Sequence, residues 1–252
     1  MTTKPLSRTL QQRQTAIDAY WASFIGCDAA RIHDASPVPV IVNPEIDRLI
    51  AYCPFDAGAT VAVQDVSLLK LGRRVQLLFQ DIVTGPQAVQ HERSLRELCA
   101  SEGLYHVYGP AMLHYLKDES VQEISSYQPV RLDAADSGLL DEFLFRLNLV
   151  REYSLTDSEA FPYAVGIFMD NQIVAYGTVR VWADTLAEIF LDVLQKYRGR
   201  GLGKSLVKHL TSWVLESTPW IPQYDAEVTN VHSMSLARRC GYSPYVMALF
   251  AS

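Results

Sequence analysis

The sequence predicts an α/β (α+β) protein whose C-terminal half is a mixed sheet with helices on its faces, preceded by a smaller N-terminal α+β domain. Three observations carry this. Apolar residues make up 49% of the 252 residues and charged residues 20%, enough to bury a core. Stretches of period-2 and period-3.6 hydrophobicity alternate along the chain. After about residue 128 they follow the order β-α-β-β-β-α-β-α-β, which calls for a sheet covered by helices.

The N-terminal domain, residues 1–120, opens with a helix over Leu10–Phe24, where Ala16, Ile17, Tyr20, Trp21 and Phe24 share one stripe. β-type runs follow at Val38–Val42, Arg48–Tyr52 and Ala59–Val63. Helical patterns over Val66–Phe79 and Gln87–Ala100 precede a run at Leu104–Tyr108. No chemical motif stands out here. The polar stretch Lys117–Gln128 ahead of Pro129 is the expected boundary, placing the second domain at 125–252.

The second domain begins with a short strand at Val130–Leu132. Asp136 is the expected N-cap of an amphipathic helix reaching Val150, with Leu139, Leu140, Phe143 and Leu147 on one side. Asp170-Asn171 is a two-residue turn joining strands Ala164–Met169 and Gln172–Val181. A strand at Leu186–Leu194 runs into a glycine-rich basic segment. A helix follows with Leu202, Leu206, Leu210 and Trp213 on one face. The rest reads as strand Tyr224–Val228, helix Ser233–Cys240 and strand Tyr245–Phe250.

Charge narrows the function. The net charge of −6 argues against a nucleic-acid binder. Yet no acidic residue lies between Asp192 and Glu216, where Lys196, Arg198, Arg200, Lys204 and Lys208 fall. No run approaches the ~20 apolar residues of a membrane span. The four scattered cysteines and six histidines show no metal-ligand spacing. A reduced, cytoplasmic, metal-free protein without membrane or nucleic-acid partners is the expectation.

The basic island is centred on Arg198-Gly199-Arg200-Gly201-Leu202-Gly203-Lys204-Ser205, between a strand and a helix. Unpaired N–H groups and the helix dipole make such a turn suited to phosphate, and glycine permits close approach. A Walker A loop fails because Arg198 stands where its first glycine belongs. A dinucleotide GxGxxG starting at Gly201 fails at Leu206. The acyl-CoA pattern [QR]xxGx[GA] is met in full from Arg198 to Gly203.

The stretch Ile189–Leu206 resembles the GNAT superfamily of acyl-CoA-dependent N-acyltransferases. A second stretch, Asn230-Val-His-Ser233-Met-Ser-Leu236-Ala-Arg-Arg-Cys-Gly241-Tyr242, resembles that family's late N-x-x-[AS]…G-[FY] element. The resemblance implies a mostly antiparallel twisted sheet flanked by helices, with acetyl-CoA as co-substrate. It implies that the backbone of Leu191 and Val193 pairs with the pantetheine arm. The pyrophosphate would rest on the turn from Arg198 through Gly199, Arg200, Gly201, Leu202 and Gly203 to Lys204. Asn230 and Ser233 would approach the pantetheine.

The implied chemistry is direct attack of a primary amine, on a small molecule or a peptide, at the thioester carbonyl. Its base is Glu188 or, as rival, Glu227; either is equally readable as a solvated or ion-paired strand carboxylate. The family's tyrosine acid, seven residues after the asparagine, is replaced by Ala237. Tyr242, Tyr245 and Cys240 read as packing residues, and His232 as a surface residue at a helix start. That departure keeps open a second reading, a non-catalytic acyl-CoA-binding or sensing module. A nucleotide-phosphate site at Gly203-Lys204-Ser205 is a third. The N-terminal domain has two open roles, over the acceptor pocket or in a homodimer contact.

Overall fold

The computed structural model describes residues 9–34, 39–55, 57–84, 88–118, 127–149 and 161–252. Its strands form a large, mostly antiparallel open sheet flanked by helices. The residues cluster into two units that are discontinuous in sequence. One holds Tyr115–Tyr224 and Ser235–Ser243; the other holds Thr9–His114, Asp225–Met234 and Pro244–Ser252. The expected boundary at 117–128 falls mostly outside the described residues.

The second of these units starts with α1 (Leu10–Ile25), set by a capping box between Thr9 and Gln12. It ends at Gly26, whose φ of 87° lets its N–H close on the Ala22 carbonyl. Ile17, Trp21 and Ile25 are buried, with Trp21 against Tyr52. Strands β1 (Ile41–Val42), β2 (Leu49–Pro54) and β3 (Thr60–Val63) follow. A 3-10 turn at Val66–Leu68 leads into α2 (Leu69–Thr84), so the helix expected at Val66 starts later and runs longer. Asp65 causes this by capping the turn through its carboxylate to the Ser67 N–H. Next come α3 (Ala88–Ser101) and β4 (Val107–Leu116).

The strand expected to stop at Tyr108 continues past Gly109-Pro110 to Leu116. Arg96 supports the passage, donating to the carbonyls of Val107 and Gly109. Gly109 is required: at its φ of 95° an added Cβ would lie 2.6 Å from the Ala248 carbonyl oxygen. The final strand, β10 (Tyr242–Ala251), pairs antiparallel with β2 from Val246↔Pro54 to Ala251↔Leu49. Met247, Leu249 and Ala251 thereby join one core with Leu71, Val75, Phe79 and Leu95.

The other unit runs β5 (Val130–Arg131), α4 (Ser137–Arg146), β6 (Tyr163–Met169), β7 (Gln172–Trp182), β8 (Leu186–Val193), α5 (Leu202–Ser217) and the start of β9 (Ile221–Glu227), whose residues from Asp225 on group with the unit that begins at Thr9. Residues of α6 (Val231–Arg239) belong to both units. Asp136 does precede α4, but its carboxylate reaches back to the Asp133 N–H. Asp133 in turn caps a 3-10 turn through the Ala135 N–H. The helix ends at Arg146, and Val150 lies outside the described residues.

Asp170 and Asn171 have φ of 51° and 58°, the left-handed pair a tight hairpin turn needs. The strand order is β9-β8-β7-β6-β5, with β8–β9 parallel and the others antiparallel. Tyr176 packs with Phe143 of α4, while its neighbour Gly177 faces Leu210 of α5. Alternation along β7 thus puts the two helices on opposite faces. No helix among the described residues is long and apolar enough to cross a membrane.

Candidate active site

The site is built around a strand that is paired along its whole length on one side and only at its start on the other. Strand β8 pairs with β7 along its whole length, from Leu186↔Trp182 to Val193↔Ala175. With β9 it pairs only at Leu186↔Ile221, Ala187↔Pro222 and Glu188↔Gln223. Among the described residues no strand pairs with the outer edge of β8 beyond Glu188. Which peptide groups face that edge follows from the hydrogen bonds at the ends of the strand. The Leu194 N–H donates to Val174 on the β7 side, and Ile221 N–H takes the Thr185 carbonyl on the β9 side. In an antiparallel ladder these directions alternate, so Ile189, Leu191 and Val193 turn their N–H and C=O groups outward. The Arg198 guanidinium already donates to the Val193 carbonyl there, at 3.0 Å.

The open edge leads into the glycine-rich turn. Gly199 and Gly201 hold φ of 77° and 90°, a region disfavoured for residues with a Cβ. Gly201 precedes α5, and the first intrahelical bond is from Ser205 N–H to the Gly201 carbonyl. The N–H groups of Leu202, Gly203 and Lys204 therefore have no partner within the helix. Gly203 serves closeness instead: a Cβ there would be 3.1 Å from Leu236 Cδ2 and 3.4 Å from Leu191 Cδ1. Arg198, Arg200 and Lys204 are exposed around these amides. Lys196 and Arg200 lie over the Tyr197 ring at 4.7 and 5.2 Å.

Two carboxylates and an aromatic share the β8 face on the α4 side. Glu188 is half-buried and its Oε2 accepts the Trp182 indole N–H at 2.7 Å. Phe190 is 46% exposed, which leaves apolar surface between Glu188 and Asp192. Burial raises the Asp192 carboxyl above the usual aspartate range, with the nearby Arg198 guanidinium pulling it back. Glu227, in the other unit, is engaged at 2.8 Å by Arg96, which also holds Glu92.

Residues 126–242 match the sequence model of the Acetyltransferase (GNAT) family. They form a GNAT acetyltransferase domain. Among solved structures, the chain is similar to a GNAT-family acetyltransferase from Colwellia psychrerythraea, at 11% identity over 99% of this chain and 98% of that one, with a TM-score of 0.48. A GCN5-related N-acetyltransferase from Kribbella flavida shares 15% identity over 93% and 94% of the two chains, TM-score 0.44. A putative GNAT acetyltransferase from Novosphingobium aromaticivorans shares 19% identity over 59% and 67%, TM-score 0.45. No curated protein matches the sequence.

In the GNAT domain, Glu188, Leu191, Val193 and the turn from Arg198 to Lys204 fall in one unit, whereas Glu227, Asn230 and Ser233 fall in the other. Asn230 caps α6, its Oδ1 accepting the Ser233 N–H at 3.1 Å. Ala237 is fully buried. Tyr242 is buried too, its hydroxyl bonded to Thr211 at 2.7 Å, and burial pushes that phenol far up. It is a packing residue. Burial also pushes the Cys240 thiol to about 11, which removes it as a nucleophile near neutral pH. His232 is exposed at the start of α6. Sequence reasoning missed Trp182 and Arg180, which flank Glu188. The signal was there in the hairpin register, since Arg180 lies directly opposite Glu188.

Proposed function

We propose that the GNAT domain moves an acetyl group from acetyl-CoA to a primary amine by direct attack. The observation that carries this reading is the open outer edge of β8, ending in a glycine turn at the α5 N-terminus. The residues present fit an acyl-CoA: an unpaired strand edge suits the amides of a pantetheine arm, and free N–H groups among cations suit a pyrophosphate. Leu191 and Val193 would pair with the arm, and the amides of Gly199–Lys204 would hold the pyrophosphate. Acetyl-CoA, when bound, supplies an acyl group activated as a thioester.

Glu188 is the better base of the two carboxylates. It lies on β8 itself, with one oxygen oriented by Trp182 and the other left to face a substrate. Glu227 is tied to a guanidinium that also braces β4. As the N–C bond forms and the C–S bond breaks, the amine proton passes to Glu188 and the electron pair leaves with sulfur. With Ala237 in the family's tyrosine position, solvent protonates the thiolate. The four cysteines are all free, which suits a reducing, cytoplasmic setting.

Incubation with acetyl-CoA and a panel of primary amines, read by thiol release, tests the reading. Glu188→Gln is expected to lower kcat by about 10²–10⁴-fold, the range of general base catalysis, while leaving CoA affinity intact. An unchanged rate removes Glu188 as the base. Buried Ala237 favours a second reading, a module that binds acyl-CoA without turning it over. Tight CoA binding with no thiol release for any amine would select it.

A further inference from the structure

The face of β7 and β8 that carries Glu188 holds a cation that acetyl transfer as described does not use. Arg180 is the register partner of Glu188. Side chains at such positions start about 4.5–5.5 Å apart at Cβ, within easy reach of an ion pair. No such pair forms. Trp182, two residues along the same face, engages both groups. Its indole N–H donates to Glu188 Oε2 at 2.7 Å, and the Arg180 guanidinium lies 4.1 Å from its ring centroid. The Phe161 ring is 5.9 Å from the same guanidinium.

The consequence is a positioned but unspent guanidinium. Among the described residues no carboxylate or carbonyl engages Arg180, and the side chain is exposed. Contact over a ring spends no hydrogen bond, so the guanidinium keeps its N–H donors, the fork that takes a carboxylate by two parallel bonds. A carboxylate and a guanidinium kept adjacent without neutralising each other are complementary to a compact zwitterion. A purely cationic amine would meet repulsion from Arg180. A phosphate-bearing amine would bring a second negative charge beside Glu188. Phe190, exposed on the same face, offers apolar surface to a side chain.

We propose that the acceptor is an α-amino acid, with Arg180 binding its carboxylate and Trp182 holding Arg180 and Glu188 apart so that Glu188 faces the amine. The role of Glu188 rests on the acetyl-transfer reading; the carboxylate site rests on the placement of Arg180 alone.

The test uses the full chain and two matched panels, the L-amino acids and their amides. An amide keeps the amine and side chain and loses only the negative charge. Its amine is also the less basic of the pair, so more of it is unprotonated and ready to attack near neutral pH. The wild type is expected to acetylate the acids with kcat/KM about 10- to 100-fold higher, the worth of a charge-assisted contact. Arg180→Met should raise KM for the acids by a similar factor, leave KM for the amides and the CoA affinity unchanged, and so erase the preference. Equal or better use of the amides by wild type overturns the proposal, as does an Arg180→Met enzyme with an unchanged KM for the acids. Calorimetry with the same amino acids and CoA-loaded protein separates the two readings. If no amine releases thiol, binding that is lost in Arg180→Met sustains the carboxylate site while acetyl transfer falls. No heat from any amino acid overturns the site itself.

Discussion

Asp192 shows how a single residue on β8 can weigh on stability and on the site together. Its carboxyl is raised above the usual 3.8, first by burial, with Arg198 opposing. A folded state with the higher pKa binds the proton more tightly than the unfolded chain does. The stability this gives is fully present below 3.8 and is lost as pH rises through the folded value. Asp192→Asn carries no charge at any pH and escapes that loss. Its melting temperature is expected to exceed that of the wild type at pH 7, the gap closing as the pH falls below the aspartate range. A gap that persists in acid would show that burial of the charge is not its cause. Asp192 was legible in the sequence as a strand carboxylate, but its burial was not. Alternation assigns a face; only the neighbours on that face decide whether water reaches it.

Among the elements, the junction of β8 and α5 concentrates the most information in the fewest residues. Gly199 and Gly201 have positive φ with open space where a Cβ would sit, so the cost of substituting either is conformational. Gly201→Ala is expected to cost about 1–2 kcal/mol and to lower acetyl-CoA affinity, because relieving the strain turns the amides away. Thermal melts and calorimetry would check both; an alanine variant with wild-type stability and affinity would contradict the account. Local elements of this kind were readable because their causes are local. The Asp170-Asn171 hairpin, the α5 stripe and the turn each depend on residues within a few positions. Where a distant partner intervenes, reading failed. Gly109-Pro110 looks like a strand terminus, yet β4 continues because Arg96 takes the carbonyls that the irregularity would strand.

Across the whole molecule, chain order and spatial grouping part company. Residues Pro244–Ser252 cluster with Thr9–His114, and β10 completes a ladder with β2. Nothing local announces that pairing. Any apolar strand of suitable length fits the pattern of Leu49–Pro54, and the choice is made by a core that includes Met247, Leu249, Phe79 and Leu95 together. A fragment of residues 125–252 would carry β10 without β2 and would expose the apolar face that the core covers. It is therefore expected to aggregate on expression, measured by light scattering and by loss from the soluble fraction. A soluble monomer with a cooperative melt would argue that the strand finds another partner.

The β2–β10 ladder also sets a clock. Ribosomes deliver about 5–20 residues per second, and domains ordinarily begin to fold as soon as their own residues have emerged. Here the unit that starts at Thr9 lacks a strand until Pro244–Ser252 is made, so its first residues wait while the whole stretch between the two is synthesised. During that interval the unpaired edge of β2 and the uncovered side of Phe79 and Leu95 are open to chance partners. The long-range closure that finishes the fold makes the nascent chain, more than the finished protein, the form most in need of a chaperone.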